Sequence, residues 1–379
     1  MRTGLALLIF ALCLIAIAFF AISFAEQLPT NFPIAIDWQA LHIAIQNGNI
    51  RYENALGLRV PPWIVLLILP LGFLSMRASW ALVALFTMIV LLLSVPRARP
   101  RWRYYAAVLL LELSFPALRH LVDGNFEGIV IAGVLLALWG YRLGLRPQSE
   151  RRMEWFAPAL LAAGALLAAA KPQLSAWFLL VLGLTTIYTW QRQRWLRALG
   201  FALAVVVPCM LWLGQAYISN VFAISERGSI MDVSLMAALN RMLLSSALVA
   251  VLWLSVLLAT LWIMWVTRPQ RTNPTPFSRE RAGLLIAAGL LLSPYSAGNS
   301  MLTLLAVGIM PLFLKRPLLG LLLIVPINLT IFVNNPSLLS YQAYYTTAVL
   351  LVCWGVLAYR VLNTESAKSY SIITSEGFK

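Results

Sequence analysis

The chain of 379 residues is 61% hydrophobic and only 11% charged, with a mean hydropathy of +0.85. A soluble domain carries charge on about 25% of its residues, so this balance excludes an ordinary water-soluble fold. The net charge of +15 does not point to nucleic acid, because the cations sit in short clusters between apolar runs rather than in one patch.

In chain order, the first apolar run extends from Leu5 to Phe24. It exceeds the roughly 7 to 15 residues of a signal h-region, so it is expected to remain as a first span entering from the cytoplasm. A long first outer loop follows at about residues 26–62, carrying Asp37, His42, Asn47, Arg51, Tyr52, Glu53 and Arg59 before Pro61-Pro62. Residues 63–96 hold two apolar runs split at Arg77 where sidedness requires an odd number of crossings, so one run is expected to lie along the surface or re-enter. Pairs of spans are then expected at 104–119 with 125–141, 155–170 with 173–190, 198–217 with 236–267, 282–297 with 298–314, and 317–333 with 341–360.

Basic clusters separate these pairs: Arg97 to Arg103, Arg142 to Arg152, Arg192 to Arg197, Arg268 to Arg281, and Lys315-Arg316. They mark the cytoplasmic side and leave both termini inside a plasma (inner) membrane. The runs lack the in/out alternation of a closed barrel, so the expected fold is all-α. It is a polytopic transmembrane helical bundle of about twelve spans. Residues 1–362 form the membrane domain, and 363–379, rich in Ser, Thr and Lys, a flexible cytoplasmic tail. Cys13, Cys209 and Cys353 lie inside apolar runs without paired spacing, which indicates neither a disulfide framework nor a zinc site.

This topology gathers the unusual polar residues opposite the basic loops. Besides the first loop, one outer turn holds His120, Asp123, Gly124, Asn125 and Glu127, and another Lys171-Pro172. A longer loop holds Glu226, Arg227 and Asp232, and a late turn Ser293-Pro294-Tyr295 and Asn299. Glu112 stands inside an apolar run and, with Pro116, His120 and Asp123, follows a spacing that places all four on one face of a continuous helix. An ionisable residue in a span marks an interior or a water-filled cavity; a protonated carboxyl bonded to a neighbouring helix is the plainer reading. Asp37 read alone is a solvated loop carboxylate or a cap, and Lys171 a snorkelling cation at a helix end.

Asp37-Trp-Gln-Ala-Leu-His42, then Gly48, Tyr52, Pro61-Pro62 and Pro70, resemble the first-loop pattern of polyprenyl-phosphate-dependent mannosyltransferases of the DUF2029 type, glycosyltransferase family 87. Gly124-Asn125, Lys171-Pro172 and Ser293-Pro294 resemble later elements of that family in the correct order, over roughly residues 30 to 300. The chain departs from the pattern at His42, at Asn125 in place of Gln, and at Ala297 and Asn299 after the Ser-Pro pair.

The resemblance implies a GT-C fold with a long first outer loop. It also implies an inverting hexosyltransferase that moves a mannose-like sugar from a polyprenyl-phosphate donor to a lipid or envelope glycan acceptor at the outer face. Such a reaction needs a base, cations for the departing phosphate and an apolar groove for the lipid. The implied base is Asp37, and the donor phosphate falls to Lys171, with Arg51, Arg59 and Arg227 behind it. The acceptor or the shape of the site falls to His42, Tyr52, Glu112, His120, Asp123, Asn125, Ser293, Tyr295 and Asn299. No cofactor or metal is expected, since the chain has two histidines and no Asp-x-Asp pair. The rival classes are a transporter of lipid or small molecules, which favours internal repeats that are not evident here, and an inactive GT-C-like scaffold.

Overall fold

The computed structural model of the chain describes residues 2–28, 35–46, 60–146, 153–222, 232–269, 274–296, 300–333 and 339–376. Among these the regular elements are helices, with no β-strand. They run α1 (Arg2–Gln27), α2 (Ile36–Gln46), α3 (Pro62–Ile68, continued by a 3-10 turn Leu69–Phe73), α4 (Met76–Ser94), α5 (Arg101–Glu112), α6 (Phe115–Asp123), α7 (Glu127–Gly144), α8 (Met153–Ala168) and α9 (Pro172–Thr189). Then come α10 (Arg192–Phe222), α11 (Leu235–Arg241), α12 (Ser246–Val266), α13 (Arg279–Leu292), α14 (Met301–Leu304, followed by a π-helical turn Leu305–Ile309), α15 (Met310–Lys315), α16 (Pro317–Val333) and α17 (Leu339–Glu376).

Six of these helices are long and apolar enough to cross a bilayer, and a seventh if the bent pair α5–α6 counts as one span. Helix α1 has 26 residues, and other apolar runs fold as shorter helices among the described residues, such as Pro62–Phe73, Glu154–Ala168, Met301–Lys315 and Pro317–Phe332. A helix of about 15 residues is roughly 22 Å long against roughly 30 Å of hydrocarbon, so the shorter helices fall below the length of a straight span, and among the described residues six or seven spans qualify besides the 26-residue α1, where about twelve were expected. The ambiguity at residues 63–96 is resolved: the run before Arg77 is the short one, interrupted at Leu69-Pro70, and α4 has the length of a span. Helix α17 runs on past Asn363 to Glu376.

The bundle is apolar on both its inside and its outside. Helix α7 is the inner one and mostly buried, whereas α10 and α12 are mostly exposed. Leu211, Leu258 and Trp262 on those outer helices point away from protein, as lipid-facing side chains do. The closest packing is between α7 and α8. A Cβ on Gly133 would lie 2.2 Å from the Ala168 nitrogen, and one on Gly164 2.2 Å from that of Ala137. Lipid supplies no hydrophobic drive for helix pairing, so small residues that let backbones touch are what join such helices.

The basic end of the bundle is held by arginines used as helix caps. The Arg194 Nη1 donates to the carbonyls of Gly144 (2.6 Å) and Arg146 (3.0 Å) at the end of α7. Arg281 donates through Nη2 to the Met264 carbonyl (3.3 Å), to Thr267 Oγ1 (3.0 Å) and to the Thr267 carbonyl at the end of α12, and Arg279 to the Ser94 carbonyl at the end of α4. The last carbonyls of a helix have no partner within it and carry its negative pole, so a buried guanidinium there satisfies both needs. Arginines read in the sequence as topology signals are therefore structural as well. Arg281→Ala is expected to cost about 2–3 kcal/mol, seen as a lower midpoint of thermal unfolding in detergent.

Candidate functional site

At the opposite end of α7, about 27 Å away by helix rise over its 18 residues, the polar residues collect around one carboxylate. Glu127 is the first residue of α7 and is fully buried. Its Oε1 lies 3.4 Å from His120 Nε2 on α6 and 3.4 Å from Lys171 Nζ at the start of α9. Its Oε2 accepts from the backbone N–H and from the hydroxyl of Thr303 on α14, each at 3.1 Å. A carboxylate at a helix N-terminus is favoured by the helix dipole, and two cationic or hydrogen-bonding neighbours offset its burial. Four separate segments thus meet on one side chain.

Local sequence explains how each arrives. Ser114 caps α6 by accepting from the Ala117 N–H, and Phe115 donates its N–H to Asn328 Oδ1 on α16 (2.7 Å). Pro116 removes the N–H that would have bonded back to the Glu112 carbonyl, so the chain bends 49° between α5 and α6. That bend corrects the single face drawn through Glu112, Pro116, His120 and Asp123: the last three stay together on the buried face of α6, and Glu112 ends α5. Gly124 then takes the left-handed conformation (φ 71°) that closes α6, and a Cβ there would lie 2.6 Å from the Trp38 Cβ. Pro172 occupies the first turn of α9, which leaves Lys171 as its cap residue, turned toward Glu127.

The first-loop helix α2 docks on this same turn. The Ala35 N–H donates to the Val122 carbonyl (2.7 Å), the Trp38 ring meets Phe126 edge-on at 5.6 Å, and the Trp38 Nε1 donates to Ser79 Oγ (2.7 Å). Asp37 lies in the first turn of α2, next to Trp38; its side chain is outside the described residues. His42 is buried and bonds through Nε2 to the Leu74 carbonyl (2.9 Å), so it fastens α2 to the turn before α4.

A second knot lies at Asp232. Its Oδ1 accepts from the N–H groups of Ser234 (2.9 Å) and Ser296 (3.1 Å). Ser293 Oγ donates to the Tyr295 carbonyl (2.6 Å) and lies 2.7 Å from Ser296 Oγ, so Ser293-Pro294-Tyr295 forms a turn anchored on that aspartate. Ser293 and Tyr295 are therefore apart from the Glu127 cluster, though only a few residues of chain separate that turn from Thr303, which bonds Glu127.

Of the residues proposed from sequence, Lys171 and His120 are brought together by Glu127. Asp123, with its Arg119 ion pair at 2.6 Å, and Asn125, whose N–H donates to the His120 carbonyl, lie beside them. Arg51, Tyr52, Arg59, Arg227 and Asn299 fall outside the described residues. Glu112 has one buried carboxyl oxygen without a hydrogen-bond partner among the described residues and is not part of the cluster. Sequence reading placed Glu127 in the outer turn without giving it a role and passed over Thr303; an acid as the first residue of an apolar helix, just after the Gly124-Asn125 turn, was the available signal.

The family model of glycosyltransferase family 87 matches residues 61–294, more than half of the chain. No curated protein and no solved structure matches it. The matched stretch contains Gly124-Asn125, Glu127, Lys171-Pro172 and Ser293-Pro294, and it begins after α2, so Asp37 stands before it. With its span-length apolar helices and a buried polar cluster at one end of the bundle, the chain belongs to glycosyltransferase family 87 and is a membrane glycosyltransferase.

Proposed function

We propose that the chain transfers a hexose, mannose-like, from a polyprenyl-phosphate donor to a hydroxyl of a lipid or envelope glycan, with inversion, at the outer face of the plasma membrane. The observation that carries this reading is the meeting of Lys171 and His120 on Glu127 beneath the turn on which α2 is docked. In this reading the basic end of the bundle is cytoplasmic and the Glu127 end is outside. Asp37 takes the proton from the acceptor hydroxyl as its oxygen attacks the anomeric carbon, and the bond from that carbon to the phosphate oxygen breaks. Lys171, held by Glu127 and partly open to its surroundings, donates to the departing phosphate. Arg51, Arg59 and Arg227 are further candidates for that phosphate. His120, Asp123 and Asn125 shape the turn beneath.

An apolar cavity of about 250 Å³ between α3, α4 and α7 supports a lipid-linked donor. Leu67, Val83, Phe86, Phe126 and Ile129 line it, so it opens beside the residue that precedes Glu127. An isoprenoid chain seated there brings its phosphate to the level of Lys171.

The test is transfer of radiolabelled sugar from polyprenyl-phosphate hexoses into lipid products by the purified chain in liposomes. Wild type is expected to transfer, and Lys171→Met to raise the donor KM by about 10- to 100-fold, the worth of a charge-assisted bond to phosphate. Absence of transfer from every lipid-linked hexose tried, by folded protein, would sink the donor assignment.

A further inference from the structure

The Ser293 turn borders a cavity of about 460 Å³ that the transfer scheme above does not use. Its lining includes Asp232, Ser234, Met236, Asn240, Arg241 and Pro294, drawn from α11, the residues before it and the turn after α13. This is the size of a small-molecule site, and its walls are built. Asp232 is buried and held by two backbone N–H groups, Arg241 Nη1 donates to the Asp232 carbonyl (3.1 Å), and the Tyr344 hydroxyl on α17 holds the Arg241 carbonyl (3.0 Å).

The chemistry of the lining selects among ligands. Asp232 and Arg241, one acidic and one basic, both line this space, so a phosphate gains little from the second without meeting the first. An aliphatic chain would strand the polar groups of Asp232, Asn240 and Arg241 away from water. A neutral polyol suits all of them: its hydroxyls both donate and accept, matching a carboxylate that accepts, a guanidinium that donates and an amide that does both. The Asn240 amide makes no hydrogen bond among the described residues, and Met236 and Pro294 offer apolar surface to a C–H face.

Position adds the second half of the argument. Ser296 is tied to Asp232, and seven residues later Thr303 donates to Glu127, so the two knots lie no more than about 25 Å apart along the backbone. We propose that this cavity is an acceptor subsite that takes a neutral sugar residue of the acceptor glycan, with Asp232, Asn240 and Arg241 reading its hydroxyls and Met236 and Pro294 carrying its ring. The assignment rests on the transfer reading above only in calling the bound sugar the acceptor.

The experiment photolabels the full-length chain in nanodiscs with diazirine-bearing alkyl glycosides of mannose, glucose and galactose, mapping the label by mass spectrometry. At least one glycoside is expected to mark the Asp232 to Arg241 segment or the Pro294 turn and to be displaced by its unlabelled form but not by polyprenyl phosphate. Asn240→Ala, at an exposed position, and Met236→Trp, which fills the space from an exposed site, are each expected to reduce that label at least about five-fold in folded protein. Label absent from the cavity with all three sugars, displaced by polyprenyl phosphate, or unchanged in both variants overturns the subsite. The transfer assay separates the two readings. Cavity labelling without sugar transfer removes the donor assignment and keeps the sugar site, whereas transfer with an unlabelled cavity does the reverse.

Discussion

Asp37→Asn is expected to lower sugar transfer about 10²- to 10⁴-fold, the usual worth of a positioned general base, with little change in KM for either substrate. The amide keeps the size and hydrogen-bonding shape of the carboxyl but cannot hold a proton taken from the acceptor. The backbone of α2 is anchored independently of residue 37, through Ala35 on the Val122 carbonyl, Trp38 on Ser79 and His42 on the Leu74 carbonyl. The variant therefore keeps its fold, and a loss of rate reports on chemistry. Steady-state transfer in liposomes, with donor and acceptor varied separately, is the measurement. Transfer indifferent to the substitution would leave the chain a glycosyltransferase and remove Asp37 as its base.

The second large effect belongs to Glu127. Removing one member of a buried charged cluster leaves the others without compensation, at a cost of about 3–5 kcal/mol. In Glu127→Ala the Thr303 N–H and hydroxyl, His120 and Lys171 all lose their shared acceptor, while α6, α7, α9 and α14 lose their common tether. In Lys171→Met the carboxylate keeps Thr303 and His120. Thermal unfolding in detergent should therefore show a markedly larger drop for Glu127→Ala than for Lys171→Met, with Glu127→Gln between them. Equal drops would mean that the carboxylate does not organise this end of the bundle. Transfer should fall in Glu127→Gln even where the protein is folded, because the charge that holds Lys171 toward the phosphate is gone.

The two carboxylates show how differently the parts of a site are written in a sequence. Asp37 is proposed from a loop motif, because a local pattern around an acid is visible as a string. Glu127 was in plain view beside Asn125, and nothing local distinguishes an acid that caps a helix from one that gathers three other segments. His42 also stood in the motif, and the structure adds a contact that no motif shows: its ring fastens α2 to the Leu74 carbonyl. The line through Glu112 and His120 failed for a reason the sequence contained, since Pro116 four residues after Glu112 breaks the very helix that the spacing assumed.

By itself the sequence determined that this is a helical membrane protein and where its apolar runs lie. Those properties depend on hydropathy, on run length and on the placement of arginines, all of which are local. Tertiary structure alone decided which of the two runs in residues 63–96 is short and that arginines close the ends of α4, α7 and α12. It also decided that Lys171, His120 and Thr303 converge on Glu127 while Ser293 is held on Asp232. Those outcomes depend on contacts between residues as far as 185 positions apart, between Arg279 and Ser94. Burial leaves each charged or hydrogen-bonding group only the partners that packing brings to it, and no periodicity in the chain encodes which those are.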